Sequence, residues 1–330
     1  MKAIIPLAGA GKQLRPHTYT QPKALIPIAG KTILSYIVDQ LYDGGIKEYI
    51  FIIGYLGDKI KEYVQTTYPN LTTHFIHQQE LLGTGHAIEL AKNIVGNDEI
   101  FVVLGDTICE FNIHDVLSSN ENLLAIKKVD DPRNFGVAVI DNNENIEHLI
   151  EKPCIPKSNN ALVGLYKIKN SALLFECLEE IFLKNIKSNG EYNLTDALEC
   201  MIKKGTKFKS FNVKKWYDCG KKESLLESNA ILLKKNGSSI INDQQFEGTI
   251  ILHPVFIDKN CVIKNSIIGP NVSIGSNTII NNSVIRDSLM GSFTHINDAV
   301  LTNSIIGSDV LVNGLKRSLN IGDNTAIDFG

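Results

Sequence analysis

From Ile257 to Val312 the sequence returns to an aliphatic residue every five or six positions: Ile257, Ile263, Ile268, Ile274, Ile280, Ile285, Met290, Ile296, Leu301, Ile306 and Val312. Few folds can use that spacing. A strand so short cannot bury its apolar side alone, and a β-sandwich would need longer strands alternating apolar and polar residues. Successive steps must therefore stack, each covering the aliphatic residue of the last, which gives a parallel β-helix. The recurring NSII, NSVI, DSLM and NSII place a second apolar residue just before the first of the next step. Asn, Ser, Asp and Gly between them supply the tight turns.

Before this repeat the pattern is different. Apolar β-rich runs alternate with segments of helical period: Ala3–Leu7, then Thr32–Tyr42 with Ile33, Leu34, Ile37, Val38 and Leu41 on one face, then Tyr49–Ile53, then Asp58–Tyr68. Ile100–Leu104 reads as a strand buried on both faces. This rhythm predicts an α/β domain, a Rossmann-like mixed, mostly parallel sheet with helices on both faces. The 330 residues thus divide into residues 1–236 and a β-helical part, residues 237–330. The apolar column runs toward Gly330 with no capping helix in the sequence, so another subunit is expected to cover the last coil and the protein to be a homo-oligomer.

Composition narrows the partners. A net charge of -3 gives no whole-chain reason to expect nucleic acid or an anionic membrane. The N-terminus meets Pro6 after a few apolar residues, without the run that a signal peptide or a membrane span needs, so a cytoplasmic chain is expected. Six cysteines stand singly, with no C-x-x-C pair. His74 and His77, three apart on a β-like run, point to opposite faces and do not share a metal.

The loop after the first strand, LAGAGKQLRPHTYTQPKALIP, is the segment richest in chemistry. It is not a dinucleotide fingerprint, because Gly9 and Gly11 are followed by Leu14, and Pro16 and Pro22 forbid an immediate helix. It is not a P-loop either: Gly11-Lys12 has Pro6 and Gln13 at the positions of the first glycine and the last hydroxyl. What remains is a basic, Gly-started loop leaving the carboxyl end of a strand, where Lys12, Arg15, Lys23 and backbone N–H groups can surround a polyphosphate.

The loop resembles the signature of sugar-phosphate nucleotidyltransferases, G-x-G-T-R-L-x-P-x-T followed by P-K-x-L-x-P, with Gly9, Gly11, Leu14, Pro16, Thr18, Pro22-Lys23, Leu25 and Pro27 in step. HQQELLGTGHAI is similar to the family's pyrimidine-nucleotide pocket, VVLGDTI to its metal-binding strand end, and FGVAVID, IEKP and VGLYKI to its sugar-phosphate segments; GEYNLTDAL and WYDCG complete the series. The match looks closest to long-form glucose-1-phosphate thymidylyltransferases, and the LGTGHA segment equally to uridylyltransferases acting on N-acetylglucosamine 1-phosphate. The tail resembles the left-handed hexapeptide β-helix, an exception to the right-handed crossover preference.

The resemblance implies roles residue by residue. Nucleotide binding falls to Leu7, Ala8, Gly9, Gly11, Lys12, Gln13, Gln78, Gly83 and Thr84, with Gln78 reading the base. Sugar binding falls to Gly136, Glu151, Lys152, Gly164 and Trp216, catalysis to Arg15, Lys23, Asp106 and Lys152, and a Mg²⁺ ion to Asp106 and Asp218. The implied substrates are dTTP or UTP and a sugar 1-phosphate, with glucose 1-phosphate foremost. The products are an NDP-sugar and pyrophosphate. Two carboxylates meeting at a strand edge suit a Mg²⁺ that bridges phosphate oxygens. The chain departs from the pattern at Gln13, where the family has arginine, and Lys12, where it has threonine. Either Lys12 or Arg15 then supplies the charge on the triphosphate, or the chain is a non-catalytic NDP-sugar-binding regulatory subunit. A bifunctional uridylyltransferase/acyltransferase is the third reading, with only His253 and His295 as bases in the β-helix.

Overall fold

The computed structural model describes residues 1–241 and 246–314. They form two compact units, Met1–Pro27 with Lys31–Leu225, and Ile28–Gly30 with the residues from Leu226 on; the division falls inside the helix Lys222–Asn236. The chain end on which the capping expectation rests, residues 315–330, lies outside the described residues.

The first unit is built on a nine-stranded mixed sheet in the order Ile146–Glu151, Gly136–Ile140, Asn160–Ile168, Ile100–Val103, Lys2–Pro6, Glu48–Ile53, Thr72–His77. Asn122–Lys128 also pairs with Asn160–Ile168 and carries Phe208–Asn212 on its other side. All strands run one way except Asn160–Ile168 and Ile146–Glu151, so the sheet is mostly parallel, as the βαβ rhythm predicts. Successive side chains alternate between its faces. Ile4, Ile50, Ile52, Ile100 and Val102 form one core with the helices Thr84–Glu89, Lys92–Val95, Ser171–Leu183 and Leu194–Lys203. Ala3, Ile5, Tyr49, Phe51 and Phe101 are fully buried on the opposite face. There the helix Ile33–Asp43, N-capped by Thr32 accepting from the Ser35 N–H at 3.0 Å, sets Ile37 and Leu41 beside Val103 and Leu165. Asn160–Ile168 is buried along its whole length and its pairing with Asn122–Lys128 slips between Leu162 and Tyr166. Gly164 sits in that bulge at φ 90°, a left-handed conformation that favours glycine.

The second unit stacks parallel strands of two or three residues into three sheets, a parallel β-helix consistent with the left-handed form. The periodic aliphatic residues resolve into three interior columns. Ile257, Ile274, Met290 and Ile306 form one; Ile263, Ile280, Ile296 and Val312 the next; Ile251, Ile268, Ile285 and Leu301 the third. Most are fully buried, each contributing about 1.5–3 kcal/mol. Ile250 pairs with Ile267 in the early coils, an offset of 17 residues, and Leu289 with Ile305 later, an offset of 16. At the corners Asn265, Asn271, Asn277, Asn282, Asp287, Asp298, Asn303 and Asp309 all take positive φ, which Asn and Asp tolerate better than other side chains. Asn229, fully buried, ties Ile28–Gly30 into this unit: its Oδ1 accepts from the Ala29 N–H at 2.9 Å and from Ser273 Oγ at 2.7 Å, and its Nδ2 donates to the Asn271 carbonyl at 3.1 Å.

One corner breaks the rule. Phe293 has φ 59° and is 57% exposed, so the residue carries the strain of a left-handed backbone without the interior packing that would offset it. Phe293→Asn is expected to stabilise the β-helix by about 0.5–1 kcal/mol, read as a higher midpoint in thermal unfolding. An unchanged or lower midpoint would show that the aromatic ring holds the corner.

Candidate functional site

The parallel strands Lys2–Pro6, Thr72–His77 and Ile100–Val103 end on one edge of the sheet, and the loops that follow them line a cavity of about 590 Å³. The first loop contributes Leu7, Ala8, Gly9, Gly11, Lys12 and Gln13. It is folded by the short 3₁₀ turns Lys12–Leu14, His17–Tyr19 and Lys23–Leu25, with Leu14, Thr18, Ala24 and Leu25 buried as anchors and Thr18 Oγ1 donating to the Gly11 carbonyl at 2.9 Å. These turns bring Lys23 back to the cavity, where its Nζ pairs with Asp106 Oδ2 at 2.7 Å. Arg15 does not line the cavity; its guanidinium lies over the Tyr19 ring, 4.8 Å from the centroid.

The second loop supplies Gln78, Gly83 and Thr84. Gly83 has φ 118°, and a Cβ there would meet the Tyr192 carbonyl oxygen at 2.4 Å. That close approach is held by backbone bonds from Tyr192 N–H to Leu82 O and from Gly85 N–H to Tyr192 O, both 2.8 Å. Gln78 is buried, and its Nε2 lies 3.2 Å from the Gly83 oxygen and 3.0 Å from His86 Nδ1. The base-reading role implied for Gln78 thus falls on an amide whose nitrogen is already bonded to the protein.

Asp106 and Asp218 adjoin because Lys215–Asp218 pairs antiparallel with Thr107–Glu110, setting Asp218 opposite Thr107. The Cys219 N–H reaches the Asp106 carbonyl at 3.3 Å, and Asp218 Oδ1 accepts from the Gly220 N–H at 2.8 Å. No group of three or more His, Cys, Asp or Glu suited to a metal occurs among the described residues. Two hard carboxylates at a strand edge nonetheless fit a magnesium ion that takes its other ligands from phosphate and water.

Of the residues expected to meet the sugar, Gly136, Glu151, Lys152 and Gly164 lie on or beside the antiparallel part of the sheet, and Trp216 lies on the separate ribbon that Lys215–Asp218 forms with Thr107–Glu110. Glu151 Oε2 accepts from Thr195 Oγ1 at 2.6 Å, Lys152 Nζ stands 3.7 Å from Glu151 Oε1, and a Cβ on Gly136 would come within 3.1 Å of both Glu151 and Thr195. Lys152 has φ 41° and donates its N–H to the Phe135 carbonyl at 3.0 Å. Phe135 packs edge-on against Trp216 with centroids 4.9 Å apart, and the buried Trp216 Nε1 has no hydrogen-bond partner among the described residues. Tyr166 joins the two ends: burial first, then the Glu151 and Asp106 carboxylates, push its phenol well above the usual range. Gly164, in its bulge, accepts from the Leu104 N–H at 2.9 Å.

Several contributors carry no expectation from sequence. Glu191 lines the cavity, and its signal is its place in the GEYNLTDAL segment. Gly105 and Gly220 also line it, Thr195 holds Glu151, and His86 stands behind Gln78.

A family model described as nucleotidyl transferase matches residues 2–235. The chain belongs to the nucleotidyl transferase family. Among its relatives, the low-salt glycan biosynthesis nucleotidyltransferase Agl11 of Haloferax volcanii is 34% identical over 271 residues, covering 76% of this chain and 72% of that protein. The bifunctional protein GlmU of Methanocaldococcus jannaschii is 38% identical over 266 residues, 79% of this chain but only 61% of its own length. Among solved structures, a Bacillus anthracis protein described as a glucose-1-phosphate thymidylyltransferase, in complex with a sucrose, superposes with a TM-score of 0.61 at 28% identity, covering 74% of this nucleotidyl transferase and 97% of that chain. No helix among the described residues is long and apolar enough to cross a membrane.

Proposed function

We propose that this nucleotidyl transferase joins a sugar 1-phosphate to dTTP or UTP, releasing pyrophosphate and an NDP-sugar, with glucose 1-phosphate the foremost sugar. The observation that carries the reading is the convergence of a basic glycine-started loop, the Lys23–Asp106 pair and the buried Gln78 on one cavity at the carboxyl edge of a parallel sheet. The Bacillus anthracis structure, described as a thymidylyltransferase of glucose 1-phosphate, supports the substrate class.

In this reaction the sugar phosphate oxygen attacks the α-phosphorus in line with the departing pyrophosphate. No general base is required, because the second phosphate pKa is about 6 and the nucleophile is already ionised. The protein must hold two anions together and align them. Lys23 and Lys152 neutralise the reacting phosphates, and the loop amides from Leu7 to Gln13 hold the leaving group. Glu151, which accepts from Thr195 Oγ1, also accepts from a sugar hydroxyl in this reading. Asp106 and Asp218 would hold a Mg²⁺ ion, which supplies further positive charge on the phosphate oxygens when bound.

The missing arginine at position 13 is then made good by Lys12, which lines the cavity, rather than by Arg15, which is stacked on Tyr19. With pyrophosphate release measured across a grid of nucleoside triphosphates and sugar 1-phosphates, Lys12→Ala should lose about tenfold or more in turnover, the effect of one charge-assisted hydrogen bond. Arg15→Ala and Gln13→Arg should each change it by less than about threefold. A crippled Arg15→Ala beside an active Lys12→Ala would reverse the assignment. Absence of pyrophosphate from every substrate pair, with NDP-sugar bound in calorimetry, would make the chain a regulatory binder.

A further inference from the structure

Gln78 is only 6% exposed and lines the cavity, so what its amide offers a ligand depends on which of its atoms the protein has already engaged. The atom 3.2 Å from the Gly83 carbonyl oxygen must be the amide nitrogen, since two oxygens there would repel. This bond and the one to His86 together hold the orientation of the amide without reference to any ligand. The second amide hydrogen points at His86 Nδ1, 3.0 Å away. This nitrogen can accept only with its lone pair free, so the neutral ring carries its proton on Nε2. His86 lies on the helix Thr84–Glu89, and Phe182 meets its ring edge-on with centroids 6.3 Å apart. Both donors of Gln78 are therefore spent, and Oε1, with no partner among the described residues, remains as its acceptor for a ligand.

We infer that His86 is a positioning residue that turns Gln78 into an acceptor-only reader of the base, selecting a pyrimidine with a ring N–H over one with a bare ring nitrogen. Uracil and thymine offer that hydrogen, whereas cytosine presents a lone pair at the same place and meets Oε1 with repulsion. The inference rests on the proposed reading of the cavity as a nucleotide site. His86 acts through Gln78 and needs no contact with substrate. Removing its acceptor leaves one amide hydrogen of Gln78 unpaired in a buried place, so the amide turns that hydrogen toward the ligand and ceases to discriminate.

The test compares binding of the matched pairs UDP with CDP and dUDP with dCDP by calorimetry, using the full chain unmodified and as His86→Leu, His86→Phe and His86→Asn. Phenylalanine keeps the ring without the acceptor, which guards against a leucine variant that fails to fold; asparagine returns an acceptor oxygen near the place of Nδ1. The unmodified protein should prefer the uracil member by about tenfold or more, Leu and Phe should narrow the preference to within about threefold, and Asn should restore it. A preference that survives in the Leu or Phe variant, that is absent from the unmodified protein, or that Asn fails to restore would overturn the inference and leave the nucleotide reading standing. If the unmodified protein binds none of the four diphosphates, the nucleotide reading falls and the inference with it.

Discussion

Asp106→Asn is expected to lower turnover by about two to three orders of magnitude, and Asp218→Asn by a similar factor, while the fold survives. The two residues adjoin only because two short strands pair antiparallel, and each backbone makes its ribbon contacts whatever the side-chain charge. The loss should therefore be chemical. Asp106→Asn also deprives Lys23 of its partner 2.7 Å away, so its circular dichroism and thermal midpoint need to be recorded beside its rate. Asparagine keeps the shape and one oxygen but removes the charge that a divalent ion requires. Titrating Mg²⁺ against the unmodified enzyme should show the same dependence, with chelation abolishing pyrophosphate release. Either variant retaining turnover within about tenfold of the unmodified protein, in saturating Mg²⁺, would show that the carboxylate pair is not the metal site.

The second large effect is expected at Gly83. Alanine there places a Cβ 2.4 Å from a backbone oxygen and 2.9 Å from the Tyr192 backbone nitrogen, at a φ of 118° that side chains rarely adopt. Neither neighbour is the movable end of a side chain. The Leu82–Tyr192 and Gly85–Tyr192 bonds must lengthen or the segment must part, which is expected to destabilise the first unit by about 2–4 kcal/mol. A fall of roughly 5–10 °C in its thermal midpoint follows. Because the Gly83 oxygen also accepts from Gln78, nucleotide affinity should drop together with stability. A Gly83→Ala protein that melts within about a degree of the unmodified one would mean that the loop can relax past Tyr192 at little cost.

The two halves of the molecule differ in how far they can be read from sequence. The interior columns of the β-helix follow from a local period, because each aliphatic residue stacks on one sixteen or seventeen positions away in a regular ladder. The parallel strands and their helices are legible for the same reason: Ile33, Leu34, Ile37, Val38 and Leu41 lie inside, as their spacing predicts. Strand direction on the other side of the sheet is not local. Nothing within Asn160–Ile168 records that it will run against its neighbours and join three of them. The site divides similarly. The family resemblance named Lys23, Asp106 and Gln78, but the pairing of Lys23 with Asp106 spans 83 positions and depends on where the 3₁₀ turns deliver the chain. Arg15 looked as available as Lys12 in sequence; its stacking on Tyr19 is a property of those turns. His86 stands within the HQQELLGTGHAI motif, yet its bond to Gln78 exists only because a helix begins at Thr84 and carries it back toward the preceding strand end.

The coil offsets of the β-helix also constrain how such a tail can be lengthened or shortened in evolution. One extra residue inside a strand would turn every later aliphatic side chain outward, and one extra residue at a corner is the difference already present between the 17-residue and 16-residue steps. Copying a whole coil, by contrast, repeats all three strands and all three corners, so every column gains a member and no register moves. The gene segment for one turn is thus the unit of inheritance here: relatives should differ in tail length by multiples of it, and small insertions that survive should cluster at the corners.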